Sequence, residues 1–293
     1  MAIDADAVLA VVDASGIPPL LCILDSSGSM AKRHAVAAVT QLSHKSRENQ
    51  TVVGKAGGVH RLVGLIAHID KETFATQSTK EDVSLCSAAA CAIKELSRGS
   101  RKNQDAFAEA DAFAPLVAML SAHDTHMQAN AATALAHLAR GHSANQSAIA
   151  KHGAIAALCM IVREGHDEGK AAAATALWAL ATDHARNKDT IAKLGGVDHL
   201  VVLLGTSTTE RSQERAAGAL NAIAFKHSEN RQIVVNRLVQ TLLGLSFKAT
   251  DVAVRVLLTC SALATDCAAN QVSGRALCTC RSSALSSVCP LLP

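Results

Sequence analysis

Asparagine recurs along the chain at Asn49, Asn103, Asn145, Asn187, Asn230 and Asn270, at intervals of 54, 42, 42, 43 and 40 residues. The residues around it keep register. Seven positions before each Asn stand Leu42, Leu96, Leu138, Leu180, Ile223 and Leu263. Eleven before stand Ala38, Ala92, Ala134, Ala176, Ala219 and Thr259. Thirteen after the first four stand Leu62, Leu116, Leu158 and Leu200. Chance does not hold such a register over five units, so this is a tandem array. A unit of that size cannot bury its apolar face alone. The units must stack and share one continuous core.

Each unit reads as three helices. A short one starts near the Asn and ends at a glycine (Gly16, Gly57, Gly153, Gly195), a residue suited to the left-handed position that closes a helix. The Asn itself reads as the cap of this helix, its side-chain oxygen accepting an orphan N–H. A second helix follows at once, as in Val197-Asp-His-Leu-Val-Val-Leu-Leu, then a polar connector and a long third helix such as 171–182. The 12 extra residues of the 54-residue unit fall between Ile69 and Val83, and the polar segment 70–82 reads as a surface loop. The 40-residue unit loses its residues near Val235-Asn236-Arg237, where other units place Gly. Boundaries follow at about 1–48, 49–102, 103–144, 145–186, 187–229 and 230–269, giving a solenoid over 1–271 and a degenerate tail at 272–293.

Composition agrees with an all-α chain and excludes several functions. Hydrophobic residues make up 49% and aromatic ones 2%, with one Trp, five Phe and no Tyr. That leaves little material for base stacking, and a net charge of +3 is too small for phosphate binding, so no nucleic-acid partner is expected. No run of 18 apolar residues marks a membrane span. The N-terminal Met-Ala-Ile-Asp-Ala-Asp lacks the basic region of a secretory signal. Most of the nine cysteines (Cys22, Cys86, Cys91, Cys159 and Cys260 among them) sit singly in apolar helical stretches, as buried reduced thiols do. A cytoplasmic or nuclear location and a monomeric chain are therefore expected.

No candidate for chemistry survives. Gly165-His-Asp-Glu-Gly169-Lys170-Ala171 is one residue short of a phosphate-binding loop and lacks the Ser or Thr that would hold magnesium. His123-Asp-Thr-His126 has no third metal ligand nearby. Cys267, Cys278, Cys280 and Cys289 are poorly spaced for zinc. His44, His142, His184 and His227 recur just before the Asn, and one residue repeated four times signals a structural turn. Catalytic residues, metals and cofactors are thus all expected to be none.

The pattern Asn-x-x-x-Ile-Ala-x-x-Gly-x-Ile-x-x-Leu-x-x-Leu-Leu, followed by Ala-x-Ala-Leu-x-x-Leu-Ala, resembles the armadillo repeat, most fully over 145–186 and 187–229 and in outline over 4–269. The resemblance implies a right-handed α-solenoid of about six three-helix repeats, without catalytic activity. It also implies that third helices line a concave groove for an extended peptide or protein partner. Importin-α-like members carry Trp and, four residues on, Asn along that groove. Here the Trp positions read Ala37, Cys91, Thr133, Thr175, Gly218 and Leu258, and the Asn positions Gln41, Glu95, His137, Ala179, Ala222 and Ala262. No pair matches, so the style is that of vacuolar and plant-type scaffolds. A nuclear-import adaptor and the substrate-binding part of a ubiquitin ligase stand as alternatives. By register the groove is lined by Gln41, Glu95, Thr133, His137, Thr175, Trp178 and Asn221, a mostly small and neutral surface with Trp178 as candidate anchor.

Overall fold

The computed structural model describes residues 15–25, 28–67, 79–207 and 209–244, with side chains to 241. Among these residues there are fifteen helices and no strand. They are α1 (Ile17–Ile23), α2 (Ser29–Ser43), α3 (Arg47–Lys55), α4 (Gly58–Ile66), α5 (Lys80–Ser97), α6 (Arg101–Glu109), α7 (Phe113–Met119), α8 (Thr125–Ala139), α9 (Ser143–Lys151), α10 (Ala154–Glu164), α11 (Asp167–Ala181), α12 (Ala185–Lys193), α13 (Gly196–Thr206), α14 (Glu210–Ala224) and α15 (Ser228–Gly244). The chain folds as a right-handed armadillo-type α-solenoid. The third helices α2, α5, α8, α11 and α14 pack side by side as the principal ladder of the stack, and second helices such as α10 and α13 cover one side of it.

Small side chains permit that close ladder. On α8, Ala131, Ala132, Ala134 and Ala136 are fully buried; on α11, so are Ala173, Ala174, Ala176 and Ala181. Leu138 and Leu180 fill the core between them and have no exposed surface. Cys86 and Cys159 are part of the same core, and burial pushes both thiols up to about 12. Cys22, by contrast, is exposed and Cys91 half-buried, so those two do not act as core hydrophobes. Cys260 and the tail cysteines lie outside the described residues.

The recurrent Asn plays a different part from the cap that its sequence position suggests. The capping acceptor stands three residues earlier: Ser46 and Ser100 through Oγ, His142 and His184 through Nδ1, each accepting the Asn backbone N–H at 3.2–3.4 Å. The Asn side chain donates instead. Nδ2 of Asn49, Asn103, Asn145 and Asn187 bonds the carbonyls of Leu42, Leu96, Leu138 and Leu180 at 2.7–3.0 Å. In the last three it also reaches back to the previous unit, to the carbonyls of Gln50, Gln104 and Gln146. The following residue reaches forward. Gln104 Nε2 bonds the carbonyls of His137 and Arg140, Gln146 Nε2 those of Ala179 and Thr182, and Lys188 Nζ that of Phe225.

Three of the four recurrent histidines share one role. His142, His184 and His227 each accept an Asn N–H on Nδ1, which leaves Nε2 to carry the proton. Nε2 then meets Asp105, Ser147 or Asp189 on the first helix before it (α6, α9 or α12) at 2.6–2.8 Å. His44 does not belong with them. It follows α2 as its C-cap and faces Glu95.

The left-handed position before the second helix is glycine at Gly57, Gly153 and Gly195, but Asp111 and Ser15 hold it elsewhere, and Gly16 has an ordinary negative φ. The expected loop at 70–82 ends earlier than its polarity suggests. Thr79 and Asp82 form a reciprocal capping box, so 80–82 are the first turn of α5; residues 68–78 lie outside the described set. Where glycine is missing near Val235, α15 runs through without a break.

Asn145→Ala removes two buried donors and strands two carbonyls, so it should lower unfolding free energy by about 2–4 kcal/mol. Because units contact only neighbours, chemical denaturation should show a partly unfolded array rather than uniform loss. A Cβ at Gly153 meets nothing within 4 Å, so Gly153→Ala isolates the backbone cost of its φ of +82°. That cost should be about 1–2 kcal/mol, read from the same denaturation curve.

Candidate functional site

The third helices leave one face uncovered, and the register places it. Along the rows at fifteen, twelve, eight and five residues before the Asn, Ala88, Cys91, Asn130, Thr133, His137, Thr175, Arg215 and Gly218 are half-buried, whereas Glu95, Ala172, Ala179 and Ala222 are buried. All seven residues assigned to the groove from sequence lie on or beside this face, but in different states. Gln41 is exposed, and Thr133, His137, Thr175, Trp178 and Asn221 are half-buried. Glu95 is only 3% exposed.

Most of these side chains are already engaged. The hydroxyls of Thr133 and Thr175 turn back on their own helices, donating to the carbonyls of Ala129 and Ala171 at 2.7 Å. Asn221 Oδ1 is buried and accepts nothing. Trp178 lies against the backbone of α14. A Cβ at Gly218 would stand 2.5 Å from its Cζ3, so glycine at that position leaves the room the indole occupies. The guanidinium of Arg215 covers the ring at 6.0 Å from its centroid. Trp178 is therefore packed between neighbouring third helices and is not a free anchor.

Glu95 collects cations. His44 Nδ1 lies 3.2 Å from Oε2, and Lys94 Nζ and Arg98 each lie 3.3 Å from Oε1. One carboxylate thus serves two permanent charges. Beside it His137 is pushed down to about 4, first by burial and then by Arg140 and Arg98. Arg140, in turn, is lowered by burial and by the charges of Arg215 and Arg98. Residues that the groove assignment omits therefore make this face cationic. Their signal was in the register: five residues before the Asn stand His44, Arg98, Arg140, Thr182 and Phe225.

The other sequence candidates resolve into structure. His166 and Asp167 begin α11, so the phosphate-loop look-alike is a helix start. Asp124 caps α8 by accepting Met127 N–H at 2.7 Å, and His126 faces Glu168. Among the described residues no group of three His, Cys, Asp or Glu could hold a metal, and no helix is long and apolar enough to cross a membrane.

The family follows from comparison. A model of the plant U-box protein ARM repeat region matches residues 22–276. The chain belongs to this ARM repeat family. No curated protein matches it. Among solved structures, a designed armadillo repeat protein superimposes with a TM-score of 0.69 at 21% identity, covering 84% of this chain and 99% of its own. A second designed armadillo repeat protein, in complex with the peptide (KR)4, gives 0.67 at 20% identity, covering 83% and 98%. An engineered protein gives 0.69 at 26%, covering 83% and 96%. The two designed armadillo structures speak for the fold alone. The ARM repeat assignment rests on the family match.

His137 ties this face to stability. Its ordinary value is 6.5 and its folded value about 4, so between the two the unfolded chain binds a proton that the folded chain does not. Stability should therefore fall as pH drops from about 6.5 towards 4, by at most about 3 kcal/mol from this group. In His137→Gln that part of the decline should vanish from melting curves across the same range.

Proposed function

We propose that the chain is a non-catalytic interaction scaffold that holds a segment of a partner protein along the uncovered face of its third helices. The observation that carries this reading is the face itself: α2, α5, α8, α11 and α14 lie side by side, and exposed or half-buried positions recur along one register of them, from Gln41 through Thr133, His137 and Thr175 to Arg215. The peptide held by one designed relative supports the same use of the fold. Gln41, Glu95, Thr133, His137, Thr175, Trp178 and Asn221 are the proposed contacts, with Trp178 contributing its packed edge rather than a free ring. We place the protein in the cytoplasm or nucleus as a monomer, in keeping with the four unpaired cysteines among the described residues.

The match to the ARM region of U-box proteins favours one form of this reading, in which the scaffold is the substrate-binding part of a ubiquitin ligase. The import-adaptor alternative loses ground, because the face carries cations where a basic signal peptide would need acids.

Capture of partners by the recombinant chain, with two bulky neutral variants in parallel, tests the reading. Thr175→Tyr fills the centre of the strip, whereas Val202→Tyr alters an exposed position on α13. Captured protein should drop about tenfold or more with the first and stay unchanged with the second, at equal melting midpoints. The opposite pattern would move the site to the second helices.

A further inference from the structure

The cations on the third-helix face are out of balance with the carboxylates there. Glu95 is the acid buried on the strip, and Lys94, Arg98 and His44 already surround it. Arg98 keeps a buried Nε with no hydrogen-bond partner. Arg140 is exposed and forms no ion pair among the described residues. Arg215 rests on the face of Trp178, and Glu214, its neighbour in sequence, makes no ion pair with it. Helix by helix these groups come from α5, α8 and α14, with the Trp178 ring of α11 bridging the gap.

We propose that Arg98, Arg140 and Arg215, arranged around Trp178, form a binding site for an extended acidic segment of a protein partner. This deepens the scaffold reading and rests on it. Two features favour an acidic peptide over another polyanion. The chain as a whole carries only +3, and its single Trp and absence of Tyr give no row of stacking rings for a nucleic acid. The scale also fits, since helix axes spaced about 8–10 Å apart match two to three residues of extended chain per helix. Arg recognises carboxylate through paired N–H donors, and the exposed Arg140, without an ion pair among the described residues, has such donors to spare. Binding there offsets the repulsion from Arg215 and Arg98 that adds to burial in lowering Arg140. It also draws Arg215 towards the ligand over the one Trp, so the site contains its own reporter.

The test uses the full chain and two labelled probe peptides, (DE)4 and (KR)4, followed by anisotropy and by Trp178 emission. The acidic probe should bind, change Trp178 emission and lose affinity as salt rises, while (KR)4 does neither of the first two. Arg140→Glu and Arg215→Gln should each weaken (DE)4 by about tenfold or more at unchanged midpoint. Lys151→Glu, which alters net charge as much as Arg140→Glu but on exposed α9, should leave it unchanged. Equal losses in Lys151→Glu and Arg140→Glu would overturn the proposal, as would no binding of (DE)4. If (DE)4 fails while Thr175→Tyr still abolishes partner capture, the groove stands and only its acidic ligand falls. If both fail, the scaffold reading falls with it.

Discussion

A side-chain amide that donates twice holds this solenoid in register. Nδ2 of Asn103, Asn145 and Asn187, each at the start of one unit, ties the end of the preceding unit's third helix to that unit's first helix. Helix C-termini leave carbonyls without intrahelical partners, and buried ones must be satisfied. The apolar core cannot do this, because burial by area is non-directional and would tolerate a slip between stacked helices. Asn103 and Asn145, with Gln104 and Gln146 after them, supply direction, the Asn backward and the Gln forward along the stack. The alanine-lined ladder of third helices can pack closely because these polar links fix where each helix ends.

That division explains what was legible in the sequence. The array, its helical class and the buried Leu138, Leu180 and Ala176 followed from periodicity, because burial acts on every copy alike. The role of the Asn was misread for a physical reason. A residue at the start of a helix offers both a backbone donor and a side chain, and sequence position does not say which is used. Only the structure shows Ser46, Ser100, His142 and His184 accepting the backbone proton, freeing the amide to donate elsewhere. The same ambiguity put His44 with the capping histidines, although it faces Glu95 from the next row.

The site was legible in place but not in character. Counting back from the Asn identified the right strip, since register fixes which residues share a face. Its chemistry depends on how far long side chains reach, which register does not give. Trp178 could have stood free, yet Gly218 on the neighbouring helix leaves room for the ring and the indole fills it. Glu95 could have been the acid of the groove, yet Lys94, Arg98 and the His44 ring close over it. Arg215 begins on α14 and acts on Arg140, at the end of α8, two helices away in the ladder.

The three arginines also differ in what holds them there, and that difference separates stability from binding. Arg98 and Arg140 cap the C-termini of α5 and α8, where a cation gains from the unsatisfied carbonyls whatever else it does. Their presence alone is explained by the helices. Arg215 has no such excuse. It stands in the second turn of α14, where the dipole gives a cation nothing, and it and Arg140 repel one another. Its contact with the Trp178 face is worth about 0.5–1 kcal/mol where exposed, little beside the rotamer freedom that an ordered Arg gives up. A cation kept at such a position with no carboxylate partner among the described residues suits a carboxylate brought by another chain.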